Sequence, residues 1–158
     1  MSNASIAAPV RHSYTMSHVE GGWISPLKAA IESIGPEAAL FRPTPNIRNA
    51  WEITLHANRY LEELLQDLTG IANDSLPDWP RITKPTAAEW KRTKAHALDV
   101  IGRLDKVVGG LSDEEWQTPP HGMKAPRYQR VMDMVVHGAY HAGQIVKLRQ
   151  LYRSTNKS

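Results

Sequence analysis

The chain of 158 residues is 41% hydrophobic and 22% charged, with 19 basic and 16 acidic side chains for a net charge of +3. That is the composition of one globular domain with one core, and it excludes a disordered polyelectrolyte or a fibrous chain. With no cysteine and seven histidines, it also excludes disulfide scaffolds, thiolate metal sites, iron–sulfur clusters and a cysteine nucleophile, so imidazole, carboxylate or carbonyl groups must hold any transition metal.

No apolar run approaches the ~18–20 residues of a membrane span. Residues 1–10 lack the basic segment that opens a secretory signal. A cytoplasmic protein with no membrane attachment is therefore expected. Ser2-Asn3-Ala4 resembles a cloning scar, and residues 1–13 are expected to form a disordered or tag-derived arm. Residues 14–158 then make a single domain. Residues 14–22 read as irregular, because Gly21-Gly22 discourages a helix. Ser25-Pro26 starts a first helix with inward Leu27, Ala30, Ile31 and Ile34, and Gly35-Pro36 stops it.

Pro43-Thr44-Pro45 is a connector, after which Asn46 is expected to cap a long second helix. Its apolar positions run Ile47, Ala50, Thr54, Ala57, Leu61, Leu64, Leu65 and Leu68, and Gly70 begins its end. Residues 73–85 hold three prolines and read as a loop. A third helix runs from about Thr86 to Gly109-Gly110, with Trp90, Ala97, Ile101, Leu104 and Val108 inward. Residues 112–115, Ser-Asp-Glu-Glu, fit a short capped turn. Pro126 opens a fourth helix that runs to about Arg153. No strand-like alternation of useful length appears, so the expected class is all-α, a four-helix bundle.

The charge is unevenly divided. Residues 1–79 carry 5 basic and 9 acidic side chains, a balance of −4, and residues 80–158 carry 14 and 7, a balance of +7. Two complementary halves packing together account for this. A nucleic-acid surface would show a tighter basic cluster with interleaved aromatics than Lys91-Arg92-Thr93-Lys94. No nucleic-acid partner is expected.

The fourth helix carries the strongest chemical signal. Val131, Met134, Gly138, His141, Ile145, Leu148 and Tyr152 recur in steps of three and four, a core-facing stripe. His141 stands in that stripe where leucine would be ordinary, and His137 lies one turn earlier on its flank. Two imidazoles four residues apart share a helix face, roughly 5–6 Å between β-carbons, and can converge on one divalent ion. Seven histidines in a chain of this length yield ~0.26 such pairs by chance, so hydrogen-bonded core or surface histidines are the competing reading. Gly138 and Gly143 each cost about 1 kcal/mol in a helix relative to alanine, which a close helix approach would offset.

These residues also carry a family resemblance. His137-Gly-Ala-Tyr-His141-Ala-Gly-Gln144-Ile145 resembles the signature that closes the last long helix of DinB-like proteins. Arg42-Pro43 and Trp51-Glu-Ile-Thr-Leu-His56 resemble an upstream segment of the same family. Gly22-Trp23, Asp78-Trp79-Pro80 and Trp90 match in order and spacing, so the resemblance runs from about residue 18 through nearly the whole chain. One departure is that Arg48-Asn49-Ala50 precedes Trp51 where the family has a serine, which leaves the cap to Asn46.

The resemblance implies an up-down-down-up bundle with a divalent metal on His56, His137 and His141, and imidazole ligation suits zinc and nickel alike. Periodicity by itself puts His56 at the edge of its helix's apolar stripe. The rival third ligand is His96, which is off its own helix's stripe, while His12, His18 and His121 fall in loops or the N-terminal arm. The resemblance further implies a metal-dependent enzyme in which a small thiol such as bacillithiol, mycothiol or glutathione is the nucleophile. A chain without cysteine is compatible with that, because the thiol arrives with the cosubstrate. Hydrolysis is the competing chemistry. The other class is a non-catalytic, metal-binding stress-response or interaction protein, and a homodimer is expected in either case. Catalytic residues stay open. Glu52 could orient His56, Gln144 could hydrogen-bond near the metal, and Tyr140 could donate a proton. Asp133 could line a pocket mouth, and Trp23 and Trp79 could wall one.

Overall fold

The structure is a computed structural model that describes residues 5–70 and 77–156. The described residues form α1 (Ala7–His18), α2 (Leu27–Glu32), α3 (Pro36–Leu40), α4 (Ala50–Thr69), α5 (Ala87–Gly110), α6 (Asp113–Gln117) and α7 (Arg127–Thr155). Among them there is no strand, and no helix is long and apolar enough to cross a membrane. The all-α class is therefore as the sequence indicates.

The largest correction lies at the start of the chain. The expected arm and irregular segment are helical over Ala7–His18, whose buried face is Ala7, Val10, Tyr14, Ser17 and His18. Gly21-Gly22 follows the helix and does not prevent it. Pro9 falls in the first turn, where backbone N–H groups lack helical partners in any case. The helix has no side-chain cap, a deficit of about 1 kcal/mol. Burying one side chain of valine or leucine size contributes about 1.5–3 kcal/mol, so packing decides, and α1 lies along α7. Ser2-Asn3-Ala4 lies outside the described residues.

The remaining boundaries follow local chemistry. Pro26 stands at the N-cap of α2, and Pro36, expected as a stop, instead opens the single turn of α3. The cap of α4 is Asn49 and not Asn46. The Asn49 side chain accepts from the Glu52 N–H at 2.9 Å, and the Asn49 N–H donates to Glu52 Oε2 at 3.0 Å. This reciprocal box satisfies two donors that a helix start leaves unpaired. Ile47 is consequently outside the helix and 44% exposed. Gly70, at φ 71°, closes α4 in the left-handed conformation that glycine adopts without strain. Thr86 caps α5, and Ser112 with Glu115 forms a second box on α6. Of the loop expected over residues 73–85, residues 73–76 lie outside the described residues and 77–85 are non-helical.

The four longest helices form a ring: α4 packs on α5 and α7, and α1 packs on α7 and α5. The segment after Pro26, expected as a first helix reaching Ile34, is the six-residue helix α2. Two buried indoles tie the ring together. Trp51 and Trp90 meet at 5.2 Å, and Trp90 Nε1–H donates to the Ile34 carbonyl at 3.1 Å. They join α4 to α5 and to the turn after α2, while α4 and α7, which carry the histidines, pack directly on each other.

Candidate metal centre

Helix α7 places His137 and His141 one turn apart, and α4 brings His56 to meet them. One potential ligand nitrogen from each of the three lies within 4.8 Å of the others. His137 Nε2 is 3.3 Å from His56 Nε2 and 3.0 Å from His141 Nε2. His56 is 7% and His141 4% exposed, and His137 is half-buried.

The opposite ring nitrogens define the tautomers. His56 Nδ1–H donates to the Asp78 carbonyl at 2.7 Å, and His141 Nδ1–H donates to Gln144 Oε1 at 2.7 Å. Each of these bonds puts the ring proton on Nδ1 and leaves Nε2 as a bare lone pair. Two lone pairs therefore point at a third ring nitrogen at contact distance. One proton on His137 Nε2 would have to be shared between the two lone pairs, and His137 Nδ1 is buried with no partner whichever occupies the centre. A cation satisfies all three Nε2 lone pairs together. Metal–nitrogen bonds of about 2.0–2.1 Å at angles of about 90–109° put ligand nitrogens about 2.8–3.4 Å apart, which brackets the two observed separations. The residues fit a divalent ion.

Electrostatics keep the set in its ligand form. Burial pushes the His137 imidazolium down to about 4, and the neighbouring His141 and His56 add to the shift. Burial likewise lowers His141, against the opposing effect of the hydrogen bond it donates to Gln144. Neutral imidazole is the form that binds metal.

Trp79, in the non-helical residues before α5, and Tyr60 of α4 cover the site. The Trp79 ring stacks on His56, and Tyr60 packs edge-on against both His56 and His137. Tyr60 O–H donates to Asp78 Oδ1 at 2.6 Å. That hydrogen bond, and then the nearby imidazoles, hold the Asp78 carboxyl below its usual range. Beside the site opens a cavity of about 400 Å³, with His141, Gln144, Tyr140 and Trp79 in its wall.

Other sequence expectations are placed as follows. Glu52 does not reach His56. Its carboxylate takes the Asn49 cap and pairs with Arg42 at 2.7 Å and Arg48 at 3.2 Å. Burial alone would raise it, but Arg42, Asn49 and Arg48 together hold it low. Gln144 does hold a member of the triad, as noted above. Tyr140 is 62% exposed and packs edge-on against His141. Asp133 is exposed, Trp23 is fully exposed, and His96 pairs with Glu62 away from the triad. Close helix approach accounts for Gly138 but not for Gly143, which has nothing within 4 Å.

His18 is the residue that the sequence reading missed. It is fully buried on α1, stacked on Tyr14 at 4.5 Å, and its Nδ1–H donates to Ser17 Oγ at 2.7 Å. Its Nε2 is buried without a partner, against Gly138 of α7, where any Cβ would collide with it. The available signal was the spacing Val10, Tyr14, Ser17, His18, a helical face in a stretch read as irregular.

The sequence profile of the DinB superfamily matches residues 25–145. The chain belongs to the DinB superfamily. No curated protein and no solved structure matches it.

Proposed function

We propose that the protein binds one divalent metal ion through His56, His137 and His141 and is a metal-dependent enzyme acting on a small molecule held in the adjoining cavity. The observation that supports this best is the convergence of three Nε2 atoms while Nδ1 of His56 and of His141 is committed to a carbonyl oxygen. Zinc and nickel both suit three neutral imidazoles. The ring of α1, α7, α4 and α5 is, on this reading, a bundle of up-down-down-up topology.

When bound, the ion supplies a Lewis acid whose charge no ligand carboxylate offsets, able to acidify a thiol or a water molecule. The chain's own residues orient and shield. Asp78 and Gln144 fix the rings of His56 and His141 through Nδ1, and Trp79 and Tyr60 cover the His56 face. The chain has no thiol of its own, so a low-molecular-weight thiol cosubstrate is the nucleophile proposed, and the reaction is transfer to, or isomerisation of, an electrophile.

Elemental analysis of protein purified without a polyhistidine tag tests the first half. One metal per chain is expected, falling to background in His141→Ala. Substoichiometric metal that His141→Ala leaves unaltered would refute the site. A panel of thiols with electrophilic acceptors and of esters tests the second half on fully loaded protein. Thiol-dependent turnover is expected. Turnover of esters alone would make it a hydrolase, and no turnover at all would leave a binding protein.

A further inference from the structure

The cavity beside the triad has a charge pattern of its own. Its apolar wall includes Ile47, Ile53, Trp79, Leu148 and Leu151. The charged groups lining it are Arg48 and Lys147, and no Asp or Glu lines it. Lys147 is exposed on α7 and makes no ion pair among the described residues. Arg48 shares the single carboxylate of Glu52 with Arg42, so two guanidiniums face one anion and a positive charge is left over. Arg48 also lies over the Trp79 ring at 4.8 Å, which holds the guanidinium against the cavity wall. Gln144 presents its oxygen to His141 Nδ1, which leaves its amide N–H groups as donors.

A pocket of ~300–1,000 Å³ lined by apolar groups with a few convergent polar ones is the usual form of a small-molecule site. Here the ionic groups are cationic, Tyr140, His141 and Gln144 are the neutral polar groups, and the rest of the wall is apolar. From this juxtaposition we infer that the cavity binds an amphiphilic anion, a small carboxylate with an aromatic or aliphatic body. The body lies on Leu148, Leu151 and the edge of Trp79, whose faces His56 and Arg48 cover, and the carboxylate lies between Lys147 and Arg48. A neutral molecule of the same shape gains the apolar contacts and forfeits the ion pairing, and a dicarboxylate without an apolar body forfeits the reverse. The inference deepens the metal reading and rests on it in one respect: the anion occupies the substrate side of His141.

Calorimetric titration with 2-naphthoate and its neutral isostere 2-naphthamide tests the inference on chelator-treated and zinc-treated protein. The expected result is that naphthoate binds about tenfold more tightly than naphthamide in both preparations. Lys147→Gln should reduce that ratio and Lys147→Glu should abolish it. Both substitutions are at an exposed position, and an unchanged melting temperature verifies folding. Equal binding of the two compounds, failure of both to bind, or unaltered naphthoate binding by Lys147→Glu would overturn the inference. So would naphthoate binding confined to the zinc-treated protein and indifferent to Lys147, since the ion alone would then be the anion receptor. If the same protein takes up no zinc yet keeps its Lys147-dependent preference, the metal reading fails and the anion site stands.

Discussion

The indole of Trp79 lies flat on the imidazole of His56, with ring centroids 3.8 Å apart and planes 8° from parallel. The residue before it, Asp78, accepts the His56 Nδ1 proton on its backbone carbonyl. A hydrogen bond fixes the direction of one ring edge, and a stacked ring fixes the tilt of the plane. Together they leave His56 one orientation. Loss of such supporting contacts typically costs 10–100-fold in metal affinity. Trp79→Ala should therefore weaken zinc binding about tenfold, and Trp79→Phe, which keeps a stacking face, should weaken it less. Competition against a chromogenic chelator measures both, and equal affinity of Trp79→Ala and wild type would refute the supporting role.

Gln144 offers the corresponding test on α7. Its oxygen is the acceptor for His141 Nδ1, so Gln144→Leu keeps the bulk and removes the acceptor. An approximately tenfold loss of zinc affinity is expected, against near-complete loss of the site in His141→Ala. Gln144→Glu should restore binding, since a carboxylate accepts the same proton. Failure of the rescue would show that the effect of leucine lay in packing.

Gly138 should tolerate no side chain while His18 stands opposite. A Cβ there runs into His18 Nε2, and overpacking a close helix contact costs about 1–3 kcal/mol. Gly138→Ala should lower the melting temperature by roughly 2–4 °C for each kcal/mol lost in a domain of this size. The double variant His18→Ala/Gly138→Ala should recover part of that loss relative to the sum of the single variants. Strict additivity would contradict the contact.

Stability should also fall in mild acid because of His18. Burial pushes its pKa down to about 4, with His137 adding to the shift and the Tyr14 carbonyl opposing it. An unfolded histidine titrates near 6.5. Below 6.5 the unfolded chain binds this proton and the folded chain does not. The contribution is thus complete above pH 6.5 and lost as pH falls toward 4, on the order of 3 kcal/mol in all. Urea titrations of chelator-treated protein at pH 7 and pH 5 should show the loss. It should be smaller in His18→Gln, and an identical loss in the variant would assign the effect elsewhere.

Much of this was legible in the residues, for identifiable reasons. His141 stands out because it interrupts an apolar stripe whose period is unmistakable, and Ser112 and Glu115 because a capping box is a local pattern. Asn49 was the better cap than Asn46 by the same rule, since Glu52 lies three residues after Asn49. The placement of His56 rested on family likeness because a residue at the edge of a stripe has no periodic signature. Helix α1 was obscured by Gly21-Gly22, which ends a helix as readily as it forbids one. The role of Asp78 was out of reach, because any backbone carbonyl can accept a proton and only the fold chooses which one does.

The hydrogen bond from His56 to the Asp78 carbonyl joins a helix to the irregular chain that leads toward α5. An ion held on His56 and a connector folded over His56 therefore share one coupling free energy, equal in both directions. Metal loading should slow amide exchange in the connector around Trp79. Departure of the ion should require local opening of that segment, with α4 and α7 still paired. The lifetime of the bound ion would then be set by a fluctuation of the connector and not by the strength of three nitrogen bonds.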